Sequence, residues 1–234
     1  MSLRDIAAES LGALRARGTY RTMRVLDGAQ APRMIVDGRE VLVFAGSNYL
    51  DLAHHPEVVE ASARAGEAYG CAAGGSRLIT GNLSIHEELE AELAKFLGVQ
   101  SGLAFNTGYM ANVGVIPALV GGGDVVVSDA LSHASIIDGC RLSRAETRVF
   151  PHGDIDALEG ILRAVAAPDR RILLAVDGVY SMDGDVAPLG EMIALAKHWG
   201  AIVLLDDAHG TGCLGAGGRG SAELHDVLGD IDVH

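Results

Sequence analysis

Short apolar runs alternate with helix-forming stretches through most of this chain, and that alternation restricts its fold more than any other feature. Val125–Ser128, Arg171–Val176 and Ala201–Leu205 each have the length and apolar density of a strand buried on both faces. Leu103–Phe105 reads as a further short strand. Among them lie the helical patterns His86–Leu97 (closed by Gly98), Ala111–Leu119 and Leu189–Trp199. Buried strands joined by helices predict a parallel α/β sheet, since a parallel pair needs a crossover connection. Ahead of this region, Met1 to about Leu26 is helical in pattern and rich in arginine. Met34–Phe44 reads as a hairpin turned at Asp37-Gly38.

Composition narrows the class. The 234 residues are 49% apolar, which argues against disorder. A net charge of −13 excludes nucleic acid as a partner for the whole surface, while a local basic pocket for a phosphate stays compatible with it. Cys71, Cys140 and Cys213 have no metal or redox spacing and suggest a reducing compartment. No basic segment leads into an apolar one at the start, and no apolar run approaches the roughly 20 residues of a membrane span. The expectation is a soluble, cytoplasmic protein. The last residues, Asp230–His234, read like the start of another strand, so the chain is expected to be cut there.

In an open parallel sheet, ligands sit beyond the carboxyl ends of the strands. The segments that follow the expected strands are Asn106-Thr107-Gly108-Tyr109, Asp129 with Ser132-His133-Ala134-Ser135, Asp177–Gly184, and Asp206-Asp207-Ala208-His209-Gly210. Taken singly, each has a plain structural explanation: a helix cap, a solvated turn or a surface histidine. Together they suit pyridoxal phosphate (PLP). Thr107-Gly108-Tyr109 opens a helix whose free N–H groups can hold a phosphate. Asp206 can pair with the pyridine nitrogen, so that the ring draws electrons from a carbanion. His133 can stack on the ring, and Ser181 and His209 can bond its phenolic oxygen.

Seven segments carry a family resemblance: SNYLDLAHHPEV (47–58), GGSRLITGN (74–82), HEELEAELAKFLG (86–98), NTGYMAN (106–112), SDALSHASIIDG (128–139), DGVYSMDGDVAPL (177–189) and DDAHGTGCLGAGGRGS (206–221). In this order they resemble the α-oxoamine synthases, PLP enzymes that condense an amino acid with an acyl-CoA and release CO2. The resemblance implies the large domain of a fold type I (aspartate-aminotransferase-like) PLP-dependent transferase, incomplete at its C-terminus. Residues 1–45 would be an N-terminal helix and hairpin segment, and 46–234 the PLP-binding large domain. It further implies a homodimer, with amino acid and acyl-CoA as substrates. Gly108 and Tyr109 would bind the phosphate, His133, Asp206 and His209 would be catalytic, and Ser181 and His209 would contact the phenolic oxygen. On the substrate side stand Arg21 (with Arg24 as second choice), Ser47, Asn48 and His133.

Three departures from that family qualify the carry-over. Ser47 stands where the family usually has Asn, and Asp51 where it usually has Gly. The Schiff-base lysine of the family falls in a Thr-x-Gly-Lys-like segment beyond His234, and this chain's two lysines, Lys95 and Lys197, lie in helices. An inactive fragment that holds a partner subunit through half of a dimer face is therefore the non-enzymatic alternative. Other signals compete less well. Gly210–Gly215 and Gly215–Gly220 fit G-x-G-x-x-G, but Asp206-Asp207 at the mouth of the loop would repel a pyrophosphate. Ser181 lacks a G-x-S-x-G setting, and Asp206, Asp207 and His209 lack metal-site spacing.

Overall fold

The computed structural model describes residues 1–234 and gathers them into two units, Met1–Arg64 and Ala65–His234. The first unit begins with helix α1 (Leu3–Ala16), held at its start by a reciprocal cap. Ser2 Oγ accepts the Asp5 N–H, and the Asp5 carboxylate accepts the Ser2 N–H. Helix α1 stops well short of Leu26, and Gly18 just beyond it takes φ +68°. Strands β1 (Leu26–Asp27), β2 (Arg33–Val36) and β3 (Arg39–Leu42) then form a small antiparallel sheet. Asp37 and Gly38 both have positive φ, 51° and 75°, as a two-residue hairpin of this hand requires. Helix α2 (Pro56–Tyr69) carries the chain into the second unit.

There, α3 (Ser84–Leu97) closes on Gly98 in the left-handed region. The alternating part follows as α4 (Gly108–Leu119), β4 (Val125–Asp129), α5 (Ala134–Ser143), β5 (Glu146–Phe150), α6 (Ile155–Val165), β6 (Ile172–Asp177), α7 (Leu189–His198), β7 (Ile202–Asp206) and α8 (Ser221–Leu224). The four strands β4–β7 run parallel in the order β5-β4-β6-β7. Leu103–Phe105 is not a strand, contrary to expectation. The Ala104 N–H is taken by Glu90 Oε1 at 2.6 Å, and Gly102 lies against the Glu90 backbone, so α3 rather than a sheet neighbour holds this segment. Glu90 is in turn fixed by a forked ion pair with Arg77.

Both faces of the sheet are covered. Val125, Val127, Leu174, Val176, Val203 and Leu205 point to one core, where Leu158 and Leu162 of α6 and Met192 and Ile193 of α7 meet them. Val126, Leu173, Ala175 and Leu204 point to the other, against Ile116 of α4 and Ile136 and Cys140 of α5. Each fully buried side chain of this size stabilises the fold by roughly 1.5–3 kcal/mol. Helices α4 and α5 approach closely because Gly139 has no side chain. A Cβ there would stand 2.8 Å from Ile116 Cδ1 and 3.0 Å from the Asn112 carbonyl oxygen. Gly139→Ala is therefore expected to destabilise the chain by about 1–3 kcal/mol through overpacking. Urea unfolding of the two proteins checks this, and an unchanged midpoint would show that the helix pair has slack.

Candidate active site

Strand β4 ends in Asp129, β6 in Asp177 and β7 in Asp206, with Asp177 and Asp206 in register as neighbours. These strand ends form the carboxyl edge of the sheet, and the polar groups gather on it. Thr107 caps α4 by accepting the Met110 N–H at 3.1 Å. The N–H groups of Gly108 and Tyr109, in the first turn, have no acceptor within the helix. The Tyr109 hydroxyl donates to Asp138 at 2.7 Å and ties the helix start to α5, while Arg141 donates to the same carboxylate.

From α4 a chain of hydrogen bonds crosses the edge. Asn112 Nδ2 donates to Asp206 Oδ2 at 2.7 Å and to Ser135 Oγ at 2.9 Å. Ser135 Oγ lies 2.6 Å from His133 Nδ1, and the His133 N–H donates to Asp177 Oδ2 at 3.1 Å. The second oxygen of Asp206 accepts the Ala208 N–H at 3.2 Å. The Asp206 carboxylate and the His133 ring therefore belong to one network, anchored on α4 through Asn112. A cavity of about 550 Å3 opens beside it, lined by Gly108, Asn112, Asp206 and Ala208 together with Leu103 and Phe105.

The loop after β6 carries Ser181, which is exposed, and half-buried His209 follows β7. That Ser181 loop is anchored by His152, just beyond β5. Its Nδ1 meets Asp129 Oδ1 at 2.9 Å and its Nε2 meets Asp185 Oδ2 at 2.7 Å. Burial lowers the pKa of this imidazole, but the hydrogen bonds to Asp129 and Asp185 outweigh it and raise the value overall. Arg21, Ser47 and Asn48 lie in the first unit. Arg21 and Ser47 are exposed, and Asn48 bonds Asp51 at 3.2 Å and the Ala53 N–H at 3.1 Å. Asp51 has φ 53°, so it occupies the left-handed conformation that a glycine adopts without strain.

Neither lysine reaches the network. Lys95 is exposed on α3 beside Glu92 at 3.5 Å, and Lys197 on α7 pairs with Asp230. Two contributors escaped the sequence reading, Asn112 and His152. Asn112 sits one turn before Ile116 on the buried side of an otherwise apolar helix, and that misplaced polarity was its signal. His152 left no trace, because its two carboxylates come from distant segments.

The comparisons with known proteins agree with this architecture. Residues 39–233 match the model of the aminotransferase class I and II family. The chain belongs to that family. Among curated relatives, it is 53% identical over 227 residues to 8-amino-7-oxononanoate synthase of Geobacter metallireducens, covering 97% of this chain and 58% of that protein. It is 46% identical over 233 residues to the enzyme of the same name from Symbiobacterium thermophilum, covering 100% and 59%. Serine palmitoyltransferase from Sphingomonas wittichii superposes with a TM-score of 0.87 at 38% identity, over 97% of this chain and 57% of that one. A serine palmitoyltransferase structure from S. paucimobilis with bound PLP–myriocin aldimine gives 0.88 at 37% identity, over 97% and 57%. The chain thus spans somewhat under three-fifths of the length of these relatives.

Asp177 is the group whose ionisation should register in stability. Burial pushes its pKa up to about 7, Asp206 and Asp129 add to the rise, and the His133 N–H opposes it. With an unfolded value near 3.8, the folded chain binds the extra proton between those two values. The stability from this group is complete below the unfolded pKa and is lost as pH rises through about 7. Asp177→Asn, which keeps an acceptor for the His133 N–H, should be more stable than the parent at alkaline pH and lose that advantage in acid. Urea midpoints at about pH 5 and about pH 8 measure the gap. A gap that does not widen in alkali would show that Asp177 ionises freely.

Proposed function

We propose that this chain is the PLP-binding part of an α-oxoamine synthase, of which 8-amino-7-oxononanoate synthase is the leading identity. That enzyme condenses alanine with a pimeloyl thioester in biotin synthesis. The observation that carries the proposal is the single network at the sheet edge that joins a carboxylate and an imidazole through Asn112, just past an open helix start, in a chain 46–53% identical to synthases of that name. The donor set suits the cofactor: backbone N–H groups for a phosphate, an aspartate for a pyridinium, and an imidazole for a ring face.

When bound, PLP supplies an electron-withdrawing ring that stabilises negative charge on the substrate's Cα. Gly108 and Tyr109 would bind its phosphate through their N–H groups. Asp206, held by Asn112, would keep a proton on the ring nitrogen. His133 would cover one face of the ring and exclude water from it, and Ser181 and His209 would hold the phenolic oxygen. Arg21 is assigned to a substrate carboxylate, with Ser47 and Asn48 beside the substrate. Residues 46–234 are assigned to the cofactor-binding domain, and the whole protein to a cytoplasmic homodimer that uses an amino acid and an acyl-CoA. No helix is long and apolar enough to cross a membrane. A serine palmitoyltransferase-like reaction is the second reading, favoured by the superposition at 37–38% identity, and glycine C-acetyltransferase is the third.

PLP titration of the chain, followed by absorbance, tests the proposal. Binding is expected to be reversible, with no borohydride-stable adduct at Lys95 or Lys197. Asp206→Ala should weaken it about tenfold or more, the worth of one charge-assisted bond. Equal affinity of the two proteins, or a stoichiometric adduct at either lysine, would sink the assignment. Competition among alanine, serine and glycine for the PLP-loaded chain then separates the three readings of the substrate.

A further inference from the structure

Asn112 has no assigned role, yet it touches both sides of the site. It is buried, and Ser135 beyond it is fully buried. The orientation of its amide is settled by chemistry. A carboxylate oxygen accepts, so the atom 2.7 Å from Asp206 Oδ2 must be the donor nitrogen. The second N–H of the same nitrogen goes to Ser135 Oγ at 2.9 Å.

That second bond decides the state of His133. A serine hydroxyl has one hydrogen to give. Ser135 Oγ accepts from Asn112, and burial requires its own hydrogen to find an acceptor inside the protein. His133 Nδ1 is at hand, 2.6 Å away. The same Nδ1 also receives the Ser135 backbone N–H at 3.3 Å, as the side-chain cap of α5. A nitrogen that accepts from two donors carries no hydrogen, so the ring's hydrogen belongs on Nε2.

We propose that Asn112 is a positioning residue which, through Ser135, fixes His133 as its Nε2–H tautomer and holds Asp206 and His133 in one rigid arrangement. The geometry stands on this chain alone, while its purpose rests on the PLP reading above. With Nδ1 occupied, His133 offers the site a hydrogen-bond donor at Nε2 and no lone pair. A substrate or cofactor oxygen facing Nε2 is thereby favoured, and a donor there is excluded.

The test begins without cofactor. Long-range 1H–15N correlation spectra of the labelled 234-residue chain, taken at about pH 8.5, above the ordinary histidine range, report which ring nitrogen is protonated. His133→Gln assigns the signal by removing it. An unprotonated Nδ1 with a protonated Nε2 is expected, and the reverse pattern or a tautomer mixture overturns the relay with no variant needed. Ser135→Ala, which leaves only the long 3.3 Å backbone N–H on Nδ1, and Asn112→Leu, which frees the Ser135 hydroxyl to accept instead of donate, should each admit some Nδ1–H tautomer, and Ser135→Thr, which keeps the hydroxyl, should not. Persistence of the Nε2–H form alone in both Ser135→Ala and Asn112→Leu would also overturn the relay. In the PLP titration, Asn112→Leu should bind about tenfold more weakly, the usual scale for the loss of a supporting bond behind a ligand-binding group. Unchanged affinity would break the link from Asn112 through Asp206. Failure of Asp206→Ala to weaken PLP would count against the proposed function instead, and leaves the tautomer result standing.

Discussion

A strand covered on both faces has room for a polar side chain only where it ends, and that restriction organises this molecule. From Val125 to Val127, Leu173 to Val176 and Val203 to Leu205, successive side chains enter opposite cores and are buried in both. A charge at any of these positions would be desolvated at a cost that one hydrogen bond does not offset. The aspartates therefore fall at the last positions, 129, 177 and 206, and parallel pairing brings all three to the same edge. The site is a consequence of the sheet, because a parallel sheet turns three separate strand ends into one polar rim.

Three carboxylates on one rim repel each other, and each is treated differently. Asp129 accepts from the Leu131 and Gly153 N–H groups and from His152, so its charge is well compensated. Asp206 receives the Asn112 amide and the Ala208 N–H. Asp177 receives only the His133 N–H, and its pKa rises to about 7 because burial and its two neighbours disfavour the charge. Asp177 can thus hold a proton near neutral pH, while Asp206, which lines the cavity, keeps fixed donors.

Periodicity made the sheet and the hairpin legible. Val125–Ser128 and Ala201–Leu205 announce themselves as apolar runs, and Asp37-Gly38 specifies its turn through positive φ at both residues. Glu146–Phe150 gives no such signal, since it is an edge strand with four exposed residues of five and reads as charged text. Leu103–Phe105 misled for the opposite reason, because an apolar triplet does not reveal that Glu90 has claimed its N–H. At the site, the strand-end residues could be picked out by position, but their support could not. Asn112 and Asp206 are 94 residues apart, and only the packing of α4 on the sheet brings them together.

The glycine-rich segment after β7 shows how a motif can be real in letters and different in physics. A dinucleotide loop needs its backbone N–H groups free to meet a pyrophosphate. Here the loop's own backbone carbonyls have taken those of Gly210, Thr211, Gly212, Cys213, Leu214, Gly218 and Gly220, and its carboxylates have taken others. Asp207, buried, accepts the Ser221 N–H at 2.9 Å, the Ser221 hydroxyl at 2.5 Å and the Thr211 hydroxyl at 3.2 Å. Glu223 accepts the N–H groups of Gly217 and Arg219, each at 2.9 Å. A Cβ on Gly178, Gly210 or Gly220 would run into the Asp207 carboxylate. These glycines thus make room for an internal anion rather than an external one. The loop is thereby folded on its own carboxylates, and its first residues, Ala208 and Thr211, line the cavity together with Asp206.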